Sequence, residues 1–256
     1  MTKNNTKKLL EKIEGKQFAS DKFHNLTNNK KIMNSLKDMP QSWIKIHFKT
    51  YPRLDRINLN DIELPANKLT EILRKRRSTR QFSGLSVSKD ELFYLLFSSC
   101  GLISFKKNVD ETRRPYPSAG ARYPLEVYPL ILHCEGIKRG LYHYNVKENY
   151  LELLLDKDLS KWLIKSTGGE KWITNAAVVF IITGVFDRTR IKYGDRGYRY
   201  ALIEAGHLGQ NICLLATELN LGNCPLGGYI DERVNKLLDI DLQKESVLYL
   251  IAVGKA

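Results

Sequence analysis

From residue 65 onward the apolar positions recur with a period, and the period switches often enough to outline interspersed helices and strands. Within 66–75, Leu69, Ile72 and Leu73 return at helical spacing and predict a helix ending in the basic cluster Arg74-Lys75-Arg76-Arg77. Residues 88–102 predict a second helix: Ser88 caps it with Glu91 three residues on, Leu92, Leu95, Leu96 and Ser99 share a face, and Gly101 stops it. The run Val127-Tyr128-Pro129-Leu130-Ile131-Leu132 within 126–134 predicts a strand whose Pro129 needs an edge or a bulge. Residues 140–145 and 150–154 flank Lys147-Glu148-Asn149 at hairpin spacing. A helix over 159–166 and a buried, β-branched strand over 177–185 follow. The longest helix spans 198–219, with Leu202, Ala205, Leu208, Ile212, Leu215 and Leu219 at spacings of three and four. Gly206 and Gly209 inside it each cost about 1 kcal/mol relative to Ala, so close approach of another element is expected there. A helix over 231–238 and a strand over 246–253 complete the pattern, with no internal repeat. Helices and strands lack strict βαβ order, which favours an α+β single core over a doubly wound sheet.

Residues 1–64 differ. They are rich in Lys and Asn, broken by Pro40 and Pro52, and predict a short helix over 7–14 followed by loops. Their sparse apolar residues, Phe18, Phe23, Leu26 and Trp43 among them, suffice to drape over a core, not to build one. The expected organisation is therefore a loosely structured N-terminal extension over 1–64 and one folded domain over 65–256.

Composition adds limits. With 43% hydrophobic and 27% charged residues, the 256-residue chain excludes wholesale disorder and fibrous repeats. The longest apolar stretch, 176–186, falls short of the roughly 20 residues a membrane span needs. The basic start of the chain leads into Glu11, Lys12 and Glu14 instead of an apolar segment, unlike a secretory signal. Cys100, Cys134, Cys213 and Cys224 form no CxxC pair and have no histidine at metal-ligand spacing, so no metal site is expected and a reducing, cytoplasmic location is the default. A net charge of +13 calls for an anionic partner: nucleic acid, a membrane surface, an acidic peptide or a phosphate-bearing cofactor. The excess is spread along the chain, with +6 before residue 65, unlike the dense basic arm of many nucleic-acid binders.

Four segments could carry chemistry. Arg76-Arg77-Ser78-Thr79-Arg80 sets guanidinium forks beside a hydroxyl, as a phosphate monoester needs; a solvated basic turn is the alternative. Tyr116-Pro117-Ser118-Ala119-Gly120-Ala121-Arg122-Tyr123-Pro124 brackets small residues with prolines, so that the backbone can approach a flat ligand, or simply turns. Cys224-Pro225-Leu226-Gly227-Gly228 after the long helix offers backbone donors, or ends a loop. The polar, aromatic connection 187–200 places Lys192 beside Tyr193, a proton-transfer pair if its surroundings tune it and surface side chains otherwise. The five histidines give no catalytic triad.

Taken together and in order, the Arg-Arg-Ser-Thr-Arg run at 76–80, Pro-Ser-Ala-Gly-Ala-Arg-Tyr-Pro at 117–124, Lys-Tyr-Gly-Asp-Arg-Gly-Tyr at 192–198, Glu-Ala-Gly-His-Leu-Gly-Gln-Asn at 204–211 and Pro-Leu-Gly-Gly at 225–228 resemble the nitroreductase superfamily. The match is nearest to its SagB-type dehydrogenases of thiazole/oxazole-modified peptide biosynthesis. The resemblance implies a nitroreductase-like fold, with a mainly antiparallel central sheet flanked by helices. It also implies FMN as cofactor, and oxidation of peptide azolines made by a partner cyclodehydratase. By the same resemblance Arg76, Arg77, Ser78 and Arg80 hold the flavin phosphate and ribityl chain. Pro117, Ser118, Ala119 and Gly120 line the isoalloxazine, Pro225, Leu226, Gly227 and Gly228 face it from the other side, and Lys192 and Tyr193 take the ring proton. Nitroreductases commonly have Asn where this chain has Ala121, and a basic pair near the C-terminus where it has Lys255 alone.

The leading expectation is an FMN enzyme acting on a precursor peptide as a homodimer with flavins at the subunit interface, with no nucleic acid and no membrane span. The basic excess would help collect an acidic leader peptide. The alternatives are an NAD(P)H-driven nitro or quinone reductase of the same fold, a non-catalytic scaffold subunit, and, least favoured for want of an RNA motif or helix-turn-helix, a nucleic-acid binder.

Overall fold

A computed structural model describes residues 18–28, 49, 52–59, 65–104, 113–242 and 244–256. Six strands form one sheet: β1 Leu125–Ile131, β2 Gly140–Asn145, β3 Tyr150–Leu155, β4 Val178–Val185, β5 Gly222–Leu226 and β6 Glu245–Gly254, in the order β3-β2-β1-β4-β6-β5. Every adjacent pair is antiparallel. The helices are α1 Ala19–Thr27, α2 Lys68–Lys75, α3 Lys89–Cys100, α4 Ser160–Ser166, α5 Asp187–Tyr193, α6 Arg196–Glu218 and α7 Asp231–Leu238. The architecture is α+β, as the mixed periodicity implies.

The central strands are buried on both faces because alternate residues of β4 enter different cores. Phe180 and Ile182 pack with Leu92, Leu95 and Leu96 of α3 and Leu208 and Ile212 of α6. Val179 and Ile181 pack with Leu163 of α4 and Val234 of α7. That is why 177–182 reads as an unbroken apolar run. Helix α3 begins as expected: Ser88 Oγ accepts from Glu91 N at 3.0 Å, and Glu91 Oε2 accepts from Ser88 N at 2.7 Å.

Several expectations change. Pro129 lies in an inner strand, paired with Phe180 of β4, but β2 meets β1 only at Leu130 and Ile131, so no ladder partner lacks its donor there. Residues 222–226 form an edge strand that Pro225 and the following glycines concealed. The connection after β4 is not open loop; its first seven residues form α5. Gly209 admits Tyr249, whose Cε1 would lie 2.8 Å from an added Cβ, whereas a Cβ at Gly206 meets nothing within 4 Å among the described residues. Close approach therefore accounts for one of the two glycines.

The helix expected over 7–14 lies outside the described residues. Helix α1 does drape over the domain, but through polar groups, with Phe23 and Leu26 left exposed. Ser20 N donates to Asp195 Oδ1 at 3.0 Å, His24 Nδ1 lies 2.8 Å from Tyr198 Oη, and Arg190 reaches Ser20 Oγ at 2.9 Å and Asp21 Oδ1 at 2.5 Å.

Candidate functional site

The loop entering β1 is conformationally constrained. Gly120, Ala121 and Tyr123 all have positive φ, at 60°, 51° and 44°, a region that costs a non-glycine residue about 1–2 kcal/mol. Asn tolerates that region better than Ala, so Ala121 carries this cost. The turn is held from several sides. Tyr123 N donates to Ser118 Oγ at 2.8 Å, Arg114 N donates to Tyr123 Oη at 3.1 Å, and Asn211 of α6 donates to Pro115 O at 3.1 Å.

Lys192 and Tyr193 come to this loop from the last turn of α5. A Cβ at Gly120 would lie 2.6 Å from Tyr193 Oη and 3.0 Å from Lys192 Nζ, so the absence of a side chain there is what lets both head groups rest on the turn. Lys192 Nζ also sits 5.4 Å from the Tyr193 ring centroid, and Tyr193 meets Tyr200 edge-on at 5.1 Å. The cleft beside them has a volume of about 690 Å³ and is lined by Ile103, Arg113, Arg114, residues 115–118, Gly120, Ala121, Tyr123 and Lys192. Three of those side chains are cationic and none is acidic.

Helix α5 is short and is fixed from behind. Arg190 is buried between the rings of Phe18 and Phe186, at 5.0 and 4.9 Å from their centroids, and engages Ser20 and Asp21 of the α1 segment. Gly194, at φ 57°, ends α5, and Gly197 lets α6 start against its backbone. Arg188 ties α5 to the loop: it donates to Tyr123 O at 3.2 Å and pairs with Glu126 Oε1 at 2.5 Å. Burial pushes the Glu126 carboxyl up, but the His143 hydrogen bond and Arg188 together outweigh it and hold the group below its ordinary value.

The remaining expected residues assemble at the β5 edge of the sheet. Ser78 pairs with Asn223 as an isolated parallel bridge, and Thr79 N donates to Asn223 O at 2.7 Å. This docks 76–80 beside the strand that leads into Pro225, Leu226, Gly227 and Gly228. Arg76 lies near Cys213 and Tyr249, and Arg80 beside Cys224, whose thiol burial raises while Arg80 draws it down. Arg77, Ser78 and Arg80 are exposed, and a Cβ at Gly227 or Gly228 would meet nothing within 4 Å among the described residues. Lys255 Nζ is 3.9 Å from Glu91 Oε2, and its carbonyl accepts from Ser83. Guanidinium forks beside a hydroxyl, next to uncovered glycine backbone, fit a phosphate group joined to a flat ring.

The structure thus joins Lys192 and Tyr193 to 117–120, and joins 76–80 to 222–228. None of 76–80 or 225–228 lines the cleft. Sequence reasoning assigned no role to Arg188, Asn223, Asn211 or Glu204. Glu204 did leave a trace, as the one acidic residue within the buried stripe Ala201, Ala205, Leu208 and Ile212 of α6. Among the described residues no group of three or more His, Cys, Asp or Glu is placed to hold a metal, and no helix is long and apolar enough to cross a membrane.

The Nitroreductase family model matches residues 73–255. MJ1384 of Methanocaldococcus jannaschii, whose name assigns it to the nitroreductases, is 35% identical over 199 residues, covering 78% of this chain and 96% of its own. The microcin B17-processing protein McbC of Escherichia coli is 35% identical over 136 residues, which is 50% of this chain and only 49% of McbC. The structure of the E. coli microcin synthetase McbBCD complex with truncated pro-MccB17 bound superposes with a TM-score of 0.73 at 24% identity, over 92% of this chain and 91% of the matched one.

Proposed function

As the chain belongs to the nitroreductase family, and so to a family of oxidoreductases, we propose that it is an FMN-dependent dehydrogenase of the SagB type. Its substrate would be a ribosomally made precursor peptide whose thiazolines or oxazolines it oxidises to thiazoles or oxazoles. The observation that carries this reading is the meeting of Lys192 and Tyr193 head groups on the glycine of a strained loop beside an open cleft. The matches to McbC and to the McbBCD complex support the peptide-processing side of it.

FMN, which members of the family bind, would accept the hydride. Arg76, Arg77, Ser78 and Arg80 would hold its phosphate. Residues 117–120 and 225–228 would flank its ring, with Lys255 toward the phosphate end. Conversion of an azoline to an azole removes one proton and one hydride from adjacent ring carbons. Lys192 Nζ and Tyr193 Oη would take that proton. The second cluster does not line the cleft of the same protomer, and Leu202 and Ile203 of α6 are exposed. A homodimer would let the loop of one copy close on the phosphate cluster of the other. The cationic cleft and the net charge of +13 suit an acidic peptide, delivered by a cyclodehydratase partner in the cytoplasm.

The test is to purify the protein, record its flavin absorbance, and incubate it with an azoline-bearing peptide. The expected result is a mass loss of about 2 Da per ring, abolished in Lys192→Ala and Tyr193→Phe. The match to MJ1384 over nearly that protein's whole length favours a second reading, an NAD(P)H-dependent nitro or quinone reductase. Rapid bleaching of the flavin by NADPH, with no peptide oxidation, would establish that reading in place of the first.

A further inference from the structure

Glu204 is 2% exposed, in the middle of α6, and neither of its carboxylate oxygens has a hydrogen-bond partner. A carboxyl group in that state is costly in a core unless it serves something nearby. What lies nearby is the strained loop. The Ser118 hydroxyl and the Ala119 amide are both close enough to favour the charged form of Glu204, without closing a hydrogen bond to it. Ser118 Oγ already accepts from Tyr123 N at 2.8 Å, so its own proton is free to be donated, and Glu204 is an acceptor on that side. One residue beyond Ala119 stands Gly120, on which Lys192 Nζ and Tyr193 Oη rest.

We propose that Glu204 is a positioning residue for the reacting pair: as a carboxylate it draws in the Ser118 hydroxyl and the Ala119 amide, and thereby fixes the turn at Gly120 that seats Lys192 and Tyr193. Tyr123 N already donates to Ser118 Oγ, and donation from the Ser118 hydroxyl to an ionised Glu204 would extend that chain, so one ionisation would tighten both ends of the turn. Protonation turns one of the two acceptor oxygens into an O–H donor and removes the charge, and the turn relaxes. Among the described residues, the charged and titratable groups that reach Glu204 are Arg114 and Tyr116, on the segment leading into the loop. Arg114 favours the carboxylate, and burial keeps the Tyr116 phenol neutral. Burial raises Glu204 to about 7, which places its ionisation within the neutral range. The proposal rests on the proposed function only in taking Lys192 and Tyr193 as the reacting groups.

The experiment is hydrogen exchange on the full-length protein from pH 5.5 to 8, reading protection factors of the amides in 118–123 corrected for intrinsic rates. In the wild type, protection of these amides should rise about tenfold through neutral pH. Glu204→Gln, of nearly the same shape, should flatten that rise, and Ser118→Ala, which removes the donor, should flatten it too. A rise that persists unchanged in Glu204→Gln overturns the proposal. Should Glu204→Gln fold poorly, Ser118→Ala decides alone by the same criterion. In peptide oxidation, Glu204→Gln should lower kcat with KM little changed, and Glu204→Asp should recover part of it. If the wild-type protein oxidises no azoline peptide while the exchange result holds, the proposed function fails and the role of Glu204 in the loop stands. If Lys192→Ala is inactive and exchange in Glu204→Gln matches wild type, the Glu204 proposal fails alone.

Discussion

Glu204 also makes a thermodynamic prediction that needs neither flavin nor substrate. Its carboxyl titrates near 4.5 when exposed, and burial, opposed by Ser118, Arg114 and the Ala119 amide, carries it to about 7 in the fold. At about 1.4 kcal/mol per unit, that displacement corresponds to about 3 kcal/mol. The folded form holds the proton more tightly than the unfolded chain, so no penalty exists below pH 4.5. The penalty grows as pH rises from there and is complete once pH passes about 7. Glu204→Gln removes it. Thermal or denaturant unfolding of both proteins at pH 4.5 and pH 8 should show the variant gaining about 3 kcal/mol relative to wild type between the two conditions, or about 6–12 °C in Tm. Other titrating groups are common to both proteins and cancel in the difference. A gap between variant and wild type that is the same at both pH values would refute the assignment of Glu204 as a buried, ionising acid.

Three further predictions concern the elements around it. Gly120→Ala should cost about 1–2 kcal/mol from its left-handed backbone alone, and by displacing Lys192 and Tyr193 should reduce peptide oxidation about a hundredfold, read as kcat against a modest change in Tm. Arg190→Met should destabilise the protein by about 3 kcal/mol and expose 18–28 to limited proteolysis, with Asp21→Asn adding little on top; an intact α1 in digests would contradict it. Burial, followed by Arg190, holds His24 below its ordinary 6.5 against the pull of Asp21, so its contribution to stability should be lost as pH falls below 6.5. His143 has the opposite sign, because its Glu126 hydrogen bond outweighs burial and raises it: its contribution is present below 6.5 and lost as pH rises past the folded value. His24→Gln should therefore flatten the acid limb of a stability profile, and His143→Gln the limb above it.

How much was legible in the sequence depended on whether a residue's role was local. The capping box at Ser88 and Glu91, the stop at Gly101 and the apolar run of β4 are decided by neighbours within a few residues, and the structure has them where the pattern puts them. Strand β5 was hidden because Pro225 and the glycines after it suppress strand propensity, while its stability comes from β6, distant in sequence. Helix α5 was hidden for a related reason. Its polar residues form no apolar stripe, since what holds it is Arg190 among Phe18, Phe186, Ser20 and Asp21, and Arg188 on Tyr123 and Glu126. Lys192 and Tyr193 could be named from a motif, but only the fold shows that Gly120 is the surface they rest on. Glu204 could have been flagged as a charge on an apolar stripe, though its facing Ser118 lies beyond any pattern along the chain.

The bridge between Ser78 and Asn223 has a consequence for how the protein acquires its shape. The two residues are separated by more than half the chain, and the strand bearing Asn223 is held by β6, which follows it. During synthesis the arginines at 76–80 emerge early and then wait, with their docking edge not yet made. The sheet itself can begin with the β2–β3 hairpin and β1, which are near neighbours, whereas the β5 edge on which 76–80 dock requires contacts of high contact order and should form late. A kinetic intermediate with a folded β1–β2–β3 region and 76–80 still undocked is therefore expected during refolding. If that edge holds the flavin phosphate as proposed, FMN added at that stage would trap only molecules whose final strand has already paired.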